Sequence, residues 1–121
     1  MMRRYAGILL MLSLAGCSTL PKPTEPQSIS AADTLLAQAD NKAANGETVQ
    51  AIAILERAVR LQPRNARAWL RLAELYLTRH EYRKAEQFAG RAVQFAAGDP
   101  PLIQRSKALI KQANELQNEP G

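Results

Sequence analysis

The chain has 121 residues, of which 46% are hydrophobic and 22% charged, with a formal net charge of +5. This length has room for one domain. A single cysteine and a single histidine exclude an intrachain disulfide and a thiolate metal site, and the scattered positive charge is not the footprint of a nucleic-acid-binding protein.

Residues 1–16 have the layout of a secretory signal peptide. Arg3 and Arg4 precede an apolar run over residues 5–14, which is too short to span a bilayer stably, and a pair of small residues follows. We therefore expect this segment to be removed. Its removal lowers the formal charge from +5 to +3, because it takes two arginines with it.

The residues that end this segment resemble the lipobox of bacterial lipoproteins. Leu14-Ala15-Gly16-Cys17 matches that motif at every position, and in that family the cysteine is acylated and the chain is cut before it. The resemblance implies a lipid anchor at Cys17, since two or more acyl chains hold a protein durably on a membrane. Ser18 stands where an aspartate usually retains such proteins in the inner membrane, which implies the outer membrane and its periplasmic side. The alternative is an ordinary signal peptide that contains an incidental cysteine.

Residues 17–29 form the predicted tether. Pro21, Pro23 and Pro26 lie among polar residues there, and prolines at this density favour extended conformations over helix. The segment reaches up to ~35 Å when fully extended.

Residues 30–117 are expected to be all-α, because apolar residues recur at helical spacing and no stretch shows strand alternation. Caps, glycines and prolines predict five helices: one that Ser30 caps and Asn45-Gly46 ends, Thr48–Leu61, one from the Asn65 cap to Thr78, Glu81–Ala96, and one from the Asp99 cap to Gln117.

A 34-residue internal period identifies the fold. It superposes Leu35 on Trp69, Ala39 on Ala73, Ala51 on Ala85, Ile54 on Phe88 and Ala58 on Ala92. The second copy resembles the tetratricopeptide repeat family at Trp69, Leu72, Ala73, Tyr76, Tyr82, Ala85, Ala89 and Ala92. The resemblance implies a helix–turn–helix solenoid of two repeats, 32–65 and 66–99, with residues 100–117 as a capping helix. The aromatic residues fall on packing positions of the repeat and are expected in the core.

No residue set points to catalysis, and we expect no enzyme activity, metal or cofactor. His80 lies in a turn where the repeat family usually has glycine, without a partner for a triad or a metal site. Glu74, Glu81 and Glu86 do not pair at helical spacing into a carboxylate dyad.

The repeat resemblance implies a concave groove lined by the first helix of each repeat. Carried over position by position, it assigns Asp33, Leu36, Asp40, Ala43 and Ala44 from the first copy and Arg67, Leu70, Glu74, Leu77 and Thr78 from the second. Leu36, Leu70 and Leu77 are expected to form an exposed apolar strip for a partner, or else to pack under the fifth helix.

Two arginines of this groove stand on adjoining helical turns. Arg67 and Arg71 could grip a carboxylate, as basic residues do in some repeats of this family, or could simply be solvated. Asp40 stands where that carboxylate clamp has asparagine.

These features predict a non-enzymatic, membrane-tethered module that binds another protein of the cell envelope. Among lipoproteins with this repeat, the chain resembles the small outer-membrane activators of bifunctional peptidoglycan synthases in pseudomonad-type bacteria, which implies such a synthase as partner. A pilotin or secretin-assembly factor and a self-associating scaffold remain alternatives. Oligomeric state is left open.

Overall fold

The computed structural model describes residues 29–120, which form five α-helices and, within that range, no strand. The helices are α1 (Ala31–Ala44), α2 (Thr48–Leu61), α3 (Ala66–Thr78), α4 (Tyr82–Phe95) and α5 (Pro100–Asn118). The all-α prediction is confirmed, and the predicted bounds of α2 are reproduced at both ends. None of these helices is long and apolar enough to cross a bilayer. The predicted signal peptide, Cys17 and nearly all of the tether lie outside the described residues.

Side-chain caps start three of the five helices. The Ser30 hydroxyl accepts a hydrogen bond from the Asp33 N–H at 3.1 Å, and the Asp33 carboxylate accepts one from the Ser30 N–H, which completes a capping box. Asn65 caps α3 and Asp99 caps α5, each through a side-chain oxygen 3.1 Å from a backbone N–H. The cap residues predicted from the sequence are therefore confirmed.

The same left-handed turn joins the two helices of each repeat. Gly46 has φ 78° and His80, 34 residues later, has φ 61°. In each turn the next N–H bonds back five residues, from Glu47 to the Lys42 carbonyl and from Glu81 to that of Tyr76. His80 thus occupies a glycine position, and it is the one non-glycine residue with positive φ in the described part of the chain.

Small residues let successive helices approach closely. Each helix packs against the next along the chain, and α3 also contacts α1 and α5. The alanines at these contacts are fully buried: Ala51 and Ala58 in α2, Ala68 and Ala73 in α3, and Ala85, Ala89 and Ala92 in α4. Leu55 and Leu72 fill the space between them.

The aromatic residues pack in and against the core, as predicted from the repeat: Tyr76 is buried, and Trp69, Tyr82 and Phe88 are partly buried against it. The Phe88 ring lies between those of Trp69 and Tyr76, with centroids at 5.7 and 5.2 Å. The Tyr76 hydroxyl donates to Glu56 Oε1 at 3.1 Å. Burial, followed by this hydrogen bond to a carboxylate, raises the pKa of Tyr76 above its ordinary value.

The fifth helix covers the second repeat. Leu109 and Ala113 of α5 are buried in the common core, with Leu102 and Ile110 packed at its edge. Ser106 is fully buried and satisfies its hydroxyl by donating to the Leu102 carbonyl at 2.8 Å. The expectation of two repeats closed by a capping helix is confirmed.

Candidate functional site

Three helices form a concave groove on one side of the domain. Its lining residues are Leu36 and Asp40 from α1, Arg67, Leu70 and Arg71 from α3, and Leu102 and Arg105 from α5, around a volume of about 290 Å³. We call this surface the concave groove. Five of the seven residues are among those predicted from the sequence. The sequence did not predict the two residues from α5, Leu102 and Arg105. Leu102 nevertheless belongs to the apolar stripe from which α5 was predicted to be a capping helix.

The leucines of the concave groove form its floor. Leu36 is 5% exposed and Leu70 is 3% exposed, so the expectation of an exposed apolar strip is wrong for both. Leu77 is half-buried against the core and does not line the groove. The reason is packing: α3 lies between α1 and α5, and Leu102 of α5 joins the groove beside Leu70.

Four charged side chains link the three helices across the concave groove. Arg71 Nε lies 2.6 Å from Asp40 Oδ1 in α1, and Arg71 Nη1 lies 2.7 Å from Glu74 Oε2 in α3. The other oxygen of Glu74 pairs with the guanidinium of Arg105 in α5. Glu74 is therefore the centre of a network that ties α5 to α3 and, through Arg71, α3 to α1.

The network determines which of the two predicted arginines, Arg67 or Arg71, is free to bind a ligand. Burial by itself would lower the pKa of Arg71, but hydrogen bonds to Glu74 and Asp40, with the charges of those carboxylates, outweigh it and raise the pKa. Arg71 is thus already paired with two carboxylates of its own chain, those of Asp40 and Glu74. Arg67 is exposed and has no ion-pair partner among residues 29–120. Of the two arginines expected to grip a carboxylate, Arg67 is the one that remains available.

A second charged cluster lies at the turn between α3 and α4, away from the concave groove. Glu81 pairs with Lys84 at 2.7 Å and with Arg79 at 3.0 Å. The hydrogen bond from Lys84 lowers the pKa of Glu81, and the charges of Lys84 and Arg79 act in the same direction. His80 Nδ1 lies 2.8 Å from the Tyr82 hydroxyl. Residues 29–120 contain no group of three side chains suited to hold a metal ion.

The chain belongs to the tetratricopeptide repeat family, whose profile matches residues 42–110. Proteins of this fold are non-enzymatic protein-interaction modules. Among solved structures, the chain is similar to the globular C-terminal domain of LpoP from P. aeruginosa, with 34% identity and a TM-score of 0.72 over 77% of this chain and 88% of that one. This likeness confirms the family resemblance seen in the sequence.

A second solved structure shares the fold. The tetratricopeptide repeat domain protein from Salinibacter ruber has a TM-score of 0.70 over 78% of this chain and 98% of that one, at 16% identity. No curated protein sequence matches the chain.

Proposed function

We propose that the chain is a lipid-anchored activator of a bifunctional peptidoglycan synthase, held by Cys17 on the periplasmic side of the outer membrane. The observation that carries this proposal is the likeness to LpoP, at 34% identity over 88% of its globular domain. LpoP is itself a lipoprotein that activates a peptidoglycan synthase, the class of activator that the sequence resembles. The lipobox match at Cys17 supports the anchor.

The concave groove is the surface we assign to the partner. Its floor is formed by the buried Leu36 and Leu70 and the half-buried Leu102, and the exposed arginines Arg67 and Arg105 also line it. This chemistry suits an extended or helical segment that presents an apolar side chain beside a carboxylate. Because Arg71 is already paired, Arg67 is the residue that would bind the carboxylate.

The lipid anchor contributes to the proposed function by raising the effective concentration of the domain near its partner. A tether holds the module near partners in the envelope and so raises its effective concentration without a new contact. Cys17→Ala should leave the helical domain folded but release it from the membrane, and it should abolish function in cells. Full complementation of a deletion by the soluble variant would show that the anchor is dispensable. The mass of the protein extracted from envelopes reports directly whether Cys17 is acylated.

The activation itself is tested with purified proteins. The chain is added to the bifunctional synthase of the same cell, and the rate of glycan polymerisation is measured as a function of its concentration. Arg67→Glu should raise the concentration needed for half-maximal activation about tenfold or more, since it reverses the charge at the proposed contact. Arg83→Glu is the matched control, because Arg83 is also exposed but lies on α4 outside the groove. A synthase whose rate does not respond to the chain would refute the proposal.

The partner in cells can be identified by site-specific crosslinking. The probe belongs at Arg67, whose side chain is exposed, rather than at the buried Leu70. Recovery of a synthase from the Arg67 position, and not from Arg83, supports the assignment. Recovery of a secretin subunit would favour the assembly factor, and recovery of a second copy of the chain, with a dimer in sedimentation, would favour the scaffold.

A further inference from the structure

The alternation of helices gives the domain two distinct ends. Successive helices are joined by short turns and run antiparallel, as shown by contacts between Arg91 of α4 and Trp69 of α3 and between Gln117 of α5 and Glu86 of α4. The first residue of the domain, Ile29, therefore lies at the same end as the α2–α3 turn and the α4–α5 turn. We call this the tether end, since the residues that follow Cys17 enter the domain there.

The tether end is basic and carries exposed apolar residues beside partly buried aromatic rings. Leu61 and Ile29 are 53% and 77% exposed. The Arg64 guanidinium lies 5.9 Å from the centroid of the Phe95 ring, and that of Arg91 lies 5.8 Å from Trp69. Arg60, Arg64 and Arg91 are exposed and have no ion-pair partner in the described part of the chain.

The acidic residues nearest this end, Asp33 and Asp99, offset only part of the charge of its three exposed arginines. The Asp33 carboxylate accepts a hydrogen bond from the Ser30 N–H, and the Asp99 carboxylate accepts one from the Leu102 N–H in the first turn of α5. Three helices also begin at the tether end and two end there, so the helix dipoles leave a positive excess.

The opposite end differs in its electrostatics. Its lysine and arginine side chains are largely paired: Lys42 with Glu47, and Arg79 and Lys84 with Glu81. Unpaired arginines next to exposed apolar residues are the combination that binds the interface of an anionic bilayer, where guanidinium groups meet lipid phosphates and apolar groups enter the headgroup region. The opposite end has an exposed apolar residue in Val49, but a single exposed arginine, Arg83, is without an ion-pair partner there among the described residues, against three at the tether end.

We propose that the tether end docks on the anionic surface of the membrane that holds the anchor, through Arg60, Arg64, Arg91 and Leu61. The inference rests on the proposed lipidation of Cys17, which leaves eleven residues between the anchor and Ile29. A few arginines give only weak attachment, roughly fivefold per residue, so docking depends on the high local concentration that the tether supplies. In this orientation the helices stand away from the bilayer and the concave groove opens sideways, free for a partner.

The test uses the processed chain, Cys17–Gly121, coupled through its only thiol to a maleimide lipid in vesicles. A Trp69→Phe background, which keeps an aromatic ring against Phe88, removes the only native tryptophan. Two reporters are then compared, Leu61→Trp at the tether end and Val49→Trp at the opposite end. Both positions are exposed on α2, at 53% and 66%, and they lie about 18 Å apart along the helix.

Quenching by doxyl-labelled lipid measures which end meets the bilayer. In phosphatidylcholine vesicles that contain phosphatidylglycerol, the reporter of Leu61→Trp should be quenched several-fold more than that of Val49→Trp. The difference should vanish without phosphatidylglycerol and in the pair Arg60→Gln and Arg64→Gln, but persist in Arg83→Gln, whose arginine is exposed at the other end. Circular dichroism verifies that each variant is folded.

Two results would overturn the docking proposal: equal quenching of the two reporters, or quenching that does not respond to phosphatidylglycerol. Since the lipid is attached chemically, neither result depends on whether cells acylate Cys17 or on synthase activation. The docking proposal can therefore fail while the proposed function stands, and the reverse also holds.

Discussion

Glu74 holds the three-helix network together, and its replacement by glutamine tests that role. The side chain is 18% exposed and meets Arg71, which is 31% exposed, and Arg105, which is 66% exposed. Loss of the half-buried pair with Arg71 is expected to cost about 1–1.5 kcal/mol, and the exposed pair with Arg105 well under 1 kcal/mol. Glu74→Gln should therefore destabilise the domain by about 2 kcal/mol, a fall in Tm of roughly 8–16 °C.

Urea unfolding followed by circular dichroism measures this change, with Asp40→Asn as the matched control. Among residues 29–120, Asp40 pairs only with Arg71 and is 52% exposed, so its loss should cost about 0.5 kcal/mol or less. A double-mutant cycle with Arg105→Gln isolates the link to α5. If Glu74→Gln left the free energy of unfolding within about 0.5 kcal/mol of the parent, the reasoning would be refuted, because the network would then be no stronger than ordinary surface pairs.

Three further predictions concern the turns and the core. His80→Val should lower the free energy of unfolding by about 1–2 kcal/mol relative to His80→Gly, since a β-branched residue tolerates φ 61° poorly; equal thermal stability of the two variants would contradict this. The carboxylate of Glu81 should titrate by NMR below its ordinary pKa of 4.5, and Lys84→Met should raise that midpoint. Its contribution to stability is present above the ordinary pKa and is lost as the pH falls through the folded value; a midpoint unmoved by Lys84→Met would argue against the pairing. Ala85→Leu should cost about 1–3 kcal/mol by overpacking the α3–α4 contact, whereas Ala53→Leu at an exposed site of α2 should cost little; similar unfolding curves for the two would show that the contact is loose.

The helices and their ends could be predicted from the sequence because the signals that set them are local. Ser30 and Asp33 are three residues apart, and Asn65 bonds within its own first turn. The 34-residue period then fixed the pairing of helices, since the same alanines recur in both repeats. His80 could be placed at a glycine position because the repeat family usually has glycine there.

The concave groove could be predicted only in part, because its character depends on contacts between residues far apart in the chain. Asp40 and Arg71 are 31 residues apart, and Arg105 reaches Glu74 only because α5 folds back over the second repeat. Which leucines would be buried likewise depended on where α5 docks. A repeat pattern assigns positions to the inner face of a helix, but it does not report which of them a neighbouring helix covers.

The outer faces of the first and last helices determine how copies of the chain can meet. The exposed face of α1 carries Ala31, Thr34, Ala37, Gln38 and Asn41, and that of α5 carries Gln104, Lys107, Lys111, Gln112 and Glu115. A head-to-tail stack of copies needs an apolar surface at both ends, since it would continue the solenoid from one molecule into the next. These faces offer small, polar and charged groups instead. We therefore expect the solenoid to end within each molecule at these two faces, so that each copy presents its concave groove as a separate unit rather than as part of a filament.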